Sequence, residues 1–316
     1  MEKSPIFIVG CDRSGTTLLR LMLIQSPILH IPQESMFVYL LERKSENYGD
    51  LTHPYQRWFL IRDLQTNPAT PESFTFPIFN LTLEEAERAI FEVTPTHVSG
   101  AIEALFQASA SKLNKQRWGD KSPRHVKYIP LLAESFPHAK FVHIIRDGRD
   151  VAISIRKAKW VSNNMQEAAT YWKQRVQAGR LGGSTLSKDR YYEVYYEQLV
   201  YEPEKTLKEL CQWLNLDYTA QMLEYYKGAQ DRISEQHKSL FQLIDQPIDP
   251  SRVSAWKRSL SALEIADFES VAGDLLVELG YEITGLKIPL PVQAIRTLRN
   301  NLGALSYKLR RFFSKI

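Results

Sequence analysis

The sequence predicts an α/β protein built on a mostly parallel sheet flanked by helices, and three observations carry that prediction. Ile6–Val9 is a short, continuous apolar run ending at Gly10, as expected of a strand buried on both faces of a parallel sheet. A helical stripe follows the glycine directly, which opens a βαβ unit. The strand-then-helix order recurs at Phe141–Ile145 and Tyr191–Tyr196, and such alternation implies a parallel sheet.

Taken in order, Thr16–Gln25 puts Leu18, Leu19, Met22 and Leu23 on one helical stripe. The stretch 37–117 breaks the alternation: Tyr39, Tyr48, Tyr55, Trp58, Phe59, Phe74, Phe76 and Phe79 stand among prolines and weak helical patterns. It reads as a helical insertion over one rim of the sheet, on the acceptor side, with its aromatics forming much of the acceptor pocket. Two helices are expected between Leu83 and Leu113, joined near Thr94-Pro95. Arg124–Ser135 reads as a helix, Phe141–Ile145 as a second buried strand, and Val151–Lys157 and Gln166–Leu181 as helices. Tyr191–Tyr196 is a strand rich in aromatics. Pro203 suits a first helical position. Leu207, Leu210, Cys211 and Leu214 follow at helical spacing, which makes Cys211 a core residue. Residues 231–250 are polar and aperiodic, as a mobile loop would be. Ala262–Leu279 is helical, with Gly280 placed as its C-terminal cap. The folded domain is bounded at 1–286, and 287–316 forms a separate tail.

Composition narrows the function. The apolar and charged fractions, 44% and 24%, are those of an ordinary globular protein. Cys11 and Cys211 are the only cysteines, so neither a disulfide framework nor a cysteine zinc site is expected, and a reducing, cytoplasmic setting is the simpler reading. No signal-peptide or membrane-span pattern is present, because Asp12, Arg13 and Arg20 interrupt the first apolar stretch. The net charge of +4 is uneven. Seven Lys or Arg and no Asp or Glu fall in 287–316, leaving 33 basic and 36 acidic residues before it. A near-neutral body argues against nucleic acid as a partner. The tail can be drawn as a helix over 294–316 with Ile295, Leu298, Leu302, Leu305, Leu309 and Phe312 on one face. Packing on its own domain, peripheral membrane contact and contact with a second copy are all open readings.

The chemistry starts at Gly10-Cys-Asp-Arg-Ser-Gly15-Thr16-Thr17. Glycines, converging backbone amides and a helix N-terminus make an anion cradle. Where a nucleotide triphosphatase loop has lysine, this chain has Thr16. The loop lysine helps neutralise a heavily charged triphosphate, so its absence argues against an ATPase and suits the lesser charge of a phosphosulfate. A tight turn without a ligand is the alternative for the loop alone. A second signal is Arg146-Asp-Gly-Arg-Asp150, which leaves the strand Phe141–Ile145 at the sheet edge where ligands bind, with Ser154 eight residues after Arg146. An arginine fork and a serine hydroxyl can hold a phosphate between them; alone, the cluster reads first as surface ion pairs.

Together the two motifs resemble the family of sulfotransferases that use 3′-phosphoadenosine-5′-phosphosulfate (PAPS), and the fold implied is the P-loop-containing sulfotransferase type. Val194-Tyr-Tyr-Glu-Gln-Leu-Val200, followed by a proline and an amphipathic helix, is most similar to the tyrosylprotein branch. The resemblance implies that Arg13, Ser14, Gly15, Thr16 and Thr17 hold the 5′-phosphosulfate and that Arg146 and Ser154 hold the 3′-phosphate. It puts Tyr196 on the nucleotide. It makes Arg252 and Lys257 donor contacts from a closing C-terminal segment, Glu34 the general base, and Lys121 a cation beside the transferred group. It implies PAPS as co-substrate, and no metal; the seven histidines are scattered. Where the tyrosylprotein branch has an arginine that reads acidic peptides, this chain has Met36. The acceptor is therefore expected to be a small-molecule, glycan or lipid hydroxyl rather than a peptide tyrosine. A non-catalytic sulfotransferase-like binder and a P-loop phosphotransferase are the rival functions.

Overall fold

In a computed structural model of the chain, the described residues are 4–35, 37–43, 48–66, 76–158, 164–229 and 245–291. The expected tail helix at 294–316, Met36, Phe74 and most of the expected loop at 231–250 lie outside them.

Five parallel strands form the sheet: β1 (Ile6–Gly10), β2 (Leu29–His30), β3 (Arg117–Lys121), β4 (Lys140–Ile145) and β5 (Tyr191–Tyr195), in the spatial order β2-β3-β1-β4-β5. Helix α1 (Thr16–Leu23) follows β1; α2 (Val38–Arg43), α3 (Pro54–Thr66), α4 (Leu83–Val93) and α5 (Val98–Lys112) come between β2 and β3. Helix α6 (Ile129–Ser135) precedes β4, and α7 (Gly148–Lys157) and α8 (Met165–Ser184) follow it. After β5 come α9 (Tyr196–Tyr201), α10 (Pro203–Leu214), α11 (Trp256–Ser259) and α12 (Ala262–Glu278). Because every strand is parallel, all C-terminal ends share one edge, and the order reverses at β1, which is where an open α/β sheet binds ligands.

The two faces of the sheet follow strand alternation. Phe7, Val9, Trp118 and Phe141 point to one side and pack with Phe37, Phe106 and Phe136. Ile6, Ile8, Val142, Ile144 and Val194 point to the other and pack with Leu19, Leu199, Leu207 and Leu210. Trp172 and Phe268 centre a third cluster where α7, α8 and α12 meet. The 37–117 helices are thus one covering layer of the sheet. Leu83–Val93 and Val98–Lys112 are the expected pair of helices. Phe37, Tyr48 and Phe79 are at most 1% exposed in the core rather than in a pocket, with the Tyr48 hydroxyl donating to Asp63. Tyr55, Trp58 and Phe59 do reach the surface, at 72%, 47% and 39% exposure.

Strands β2 and β3 are the strands the pattern did not predict, and the expected insertion ends where β3 begins. All five residues of Arg-Trp-Gly-Asp-Lys are buried, yet three are charged. Each charge is answered inside the protein. Arg117 donates to the carbonyls of Ser4 and Leu214 at 2.7 and 2.5 Å; Asp120 and Lys121 are satisfied at the site described below. Gly119 is required there because a Cβ would lie 2.5 Å from the Ile6 carbonyl oxygen on β1. Tyr196, expected to end a strand, is instead the first residue of α9, after Tyr195 as N-cap.

Candidate active site

The sheet edge builds the site from four directions. Ile8 of β1 is in register with Lys121 of β3 and Val142 of β4, so the loop after β1 emerges between the two strand ends. In that loop Arg13 and Gly15 have φ of 70° and 100°. The left-handed step at Gly15 makes it the N-cap of α1, with no side-chain cap, so the first-turn amides are left for an external acceptor. Gly15 is also in contact with Tyr196: a Cβ there would sit 2.6 Å from the tyrosine ring.

Arg13 turns across the loop, and its Nε donates to Ser154 Oγ at 2.9 Å. Arg146 stacks its guanidinium on the Tyr196 ring, 4.2 Å from the centroid. It donates to the carbonyls of Arg13 at 3.3 Å and Arg252 at 2.9 Å. Its Nε is buried with no hydrogen-bond partner. Burial, reinforced by the charge of Arg146, lowers the pKa of Arg13: the loop holds positive charge at a cost that an anion would offset. Asp150 ties the C-terminal segment to this corner by accepting from the Trp256 amide at 2.8 Å. Burial raises the Asp150 pKa, with Arg146 opposing.

Glu34 follows β2 and Lys121 ends the adjacent β3, so sheet pairing brings them together. Lys121 Nζ donates to Glu34 Oε1 at 2.6 Å and to Thr17 Oγ1 at 3.3 Å. The lysine side chain is 4% exposed and the glutamate 33%. Burial lowers the Lys121 pKa, and the Glu34 carboxylate works against that shift.

Arg13, Gly15, Thr16, Thr17, Glu34, Arg146, Ser154, Tyr196 and Arg252 line one cleft of about 980 Å³, while Lys121 lies behind Glu34, buried off its wall. Its volume is at the upper end of ordinary ligand sites, which run to about 1,000 Å³. Two expected contacts differ. Ser14 is fully buried beneath the loop, and its Oγ has no hydrogen-bond partner. Lys257 points away to Glu282 at 3.2 Å, while its neighbour Arg258 lines the cleft. On a single helical turn adjacent residues face different ways, which a one-residue register error cannot reveal in sequence. Lys157, Tyr225 and Arg258 were not anticipated; Asp150, though quoted within the arginine motif, was not expected as an anchor. Tyr225 carries no sequence signal. Among the described residues, no aromatic of 37–79 lines this cleft. Among the described residues no group of three His, Cys, Asp or Glu is placed to hold a metal ion, and no helix is long and apolar enough to cross a membrane.

An anion loop without lysine lies between a second cationic corner on the β4 side and a carboxylate–lysine pair on the β3 side, an arrangement suited to holding an anionic ligand beside a base. Residues 5–220 match the family model described as the Sulfotransferase family, and the chain belongs to that family. It is an enzyme of the PAPS-dependent sulfotransferase class. Protein-tyrosine sulfotransferase A of Caenorhabditis elegans is 26% identical over 284 residues, covering 88% of this chain and 67% of that one. Protein-tyrosine sulfotransferase 1 of Danio rerio is 25% identical over 288 residues, covering 88% and 72%. Among solved structures, the sulfotransferase domain of the olefin synthase from Synechococcus PCC 7002 is similar with TM-score 0.62 at 25% identity, covering 89% of this chain and 97% of that chain.

Proposed function

We propose that this chain moves a sulfuryl group from PAPS to an acceptor hydroxyl, with Glu34 as general base. The observation that carries the reading is the 2.6 Å Lys121–Glu34 pair, which touches the phosphate loop through Thr17 and opens on the cleft. The residues fit the donor. A buried guanidinium Nε without a partner and uncapped first-turn amides both lack an anionic acceptor. Arg13, Thr16 and Thr17 would hold the 5′-phosphosulfate, and Arg146 with Ser154 the 3′-phosphate, while Tyr196 backs Arg146. PAPS, when bound, supplies the sulfuryl group and leaves as 3′-phosphoadenosine 5′-phosphate (PAP). Glu34, paired with Lys121, takes the acceptor proton on a carboxylate oxygen. Lys121 and the α1 amides face the negative charge that develops as the acceptor reacts.

For the acceptor, the named protein-tyrosine relatives support a tyrosine hydroxyl in a peptide, against the small-molecule, glycan or lipid hydroxyl that Met36 suggested. The olefin synthase neighbour supports a non-peptide acceptor as the second reading. A reducing, cytoplasmic setting is proposed only from the sparse cysteine content of the chain, Cys11 and Cys211.

Donor choice has a simple measurement. In a thermal melt, PAP should raise Tm well above the rise given by equal ATP with Mg²⁺. At a hundred times Kd the expected stabilisation is about 2.7 kcal/mol. A larger shift from Mg²⁺-ATP would favour a phosphotransferase instead.

A further inference from the structure

Behind the Glu34–Lys121 pair lies a polar cluster with no access to the cleft. Ser35, Asp120, Ser122 and His125 are each 0% exposed. Ser35, the residue after Glu34, donates its hydroxyl to Asp120 Oδ1 at 2.5 Å. Asp120, the residue before Lys121, also accepts from Ser122 Oγ at 3.2 Å. Ser122 Oγ in turn accepts from the Ser35 amide at 3.2 Å. His125 Nδ1 stands 2.9 Å from Asp120 Oδ2, off the hydrogen-bonding line, and its ring packs edge-on to Phe37 at 4.9 Å.

A fully buried carboxylate is expensive unless it is paired, and the packing of the sheet does not need one at this place. Trp118, on the same face of β3, is an ordinary core ring. The chemistry does give the carboxylate a use. Between β2 and α2 the chain around Glu34 has no strand partner, because β2 pairs with β3 only at Leu29 and His30. Asp120 replaces the missing ladder. It binds the neighbour of Glu34 from the strand that carries Lys121, and so sets the separation of the base and its cation.

The structure assigns Asp120 as the positioning residue of the site, acting on Glu34 through Ser35 and held in turn by Ser122, with His125 packed beside it. It touches neither cleft nor donor and is not a catalytic residue. The assignment rests on the proposed roles of Glu34 and Lys121, so its test measures the holding of the pair without turnover.

The probe is an amine-modifying reagent applied to ligand-free protein, read by mass spectrometry at two buried lysines. Lys121 is 3% exposed at the site, and Lys140 is 6% exposed at the other end of the sheet. In Ser35→Ala and in Asp120→Asn, modification of Lys121 should speed up about ten-fold, the loss of one charged hydrogen bond, with Lys140 unchanged. The double variant should show little further gain, because both changes break one link. Sulfate transfer in the same proteins should lose kcat with the donor KM unaltered. If Asp120→Asn does not fold, Ser35→Ala decides alone. Unchanged Lys121 modification in Ser35→Ala, or Lys140 rising in step with it, overturns the assignment. A wild-type protein that transfers no sulfate, with Lys121 released as expected, would instead overturn the catalytic reading and leave the positioning intact.

Discussion

Replacing Glu34 with glutamine is expected to lower kcat for sulfate transfer by about 10²–10⁴-fold, the range for removing a positioned general base. Glutamine keeps the size of the side chain but cannot take the acceptor proton. The change also reaches Lys121. That ammonium is buried, burial lowers its pKa, and Glu34 is the largest influence acting against the shift. Without the carboxylate the lysine loses its closest partner, so its charge is held less favourably. Because the two groups act as a pair, Lys121→Met should cost less in the Glu34→Gln background than in wild type. PAP affinity is expected to change by no more than about two-fold, since an interaction used only in the reaction leaves ground-state binding alone. Single-turnover transfer and a PAP titration on the same protein separate the two effects. Activity near wild type would remove Glu34 from the mechanism.

Arg146→Ala is expected to weaken PAP binding by about ten- to a hundred-fold, matching a lost charge-assisted hydrogen bond. Its guanidinium serves three neighbours at once. It lies over Tyr196, and it bonds the carbonyls of Arg13 in the loop and Arg252 in the C-terminal segment. Removing it both deletes a donor to the 3′-phosphate and unpins two walls of the cleft. Arg146→Lys should recover only part of the loss, because an ammonium cannot bridge two carbonyls and stack on a ring in one plane. Calorimetric titration with PAP measures the effect. Equal affinities of wild type and Arg146→Ala would show that the 3′-phosphate is held elsewhere.

Much of this site was legible in sequence because its parts are local. The phosphate loop is one continuous run, and Arg146 and Ser154 sit at fixed offsets from a hydrophobic strand. Strands β1, β4 and β5 announced themselves because their burial rests on apolar side chains. Strand β3 did not, since Arg117, Asp120 and Lys121 are satisfied by residues remote in sequence, among them Ser4, Ser35 and Glu34. The described aromatics of 37–79 divide between core and surface for a related reason. Composition cannot separate a ring that fills a core, as Phe37 and Phe79 do, from one that lines a pocket. Lys257 and Arg258 show the limit of register: the resemblance identified the segment, and only the helical turn shows which cation faces the cleft. The Asp120 cluster is the least local feature of all, and no motif would have revealed it.

The central claim is that this cleft moves a sulfuryl group from PAPS to a hydroxyl with Glu34 as base. Transfer of labelled sulfate from PAPS, run with wild type and Glu34→Gln across tyrosine peptides, phenols, sugars and lipid alcohols, tests it most directly. Label is expected on at least one hydroxyl class with wild type, and its loss with Glu34→Gln while PAP still binds. Binding of PAP without transfer to any acceptor, or transfer that survives in Glu34→Gln, would contradict it.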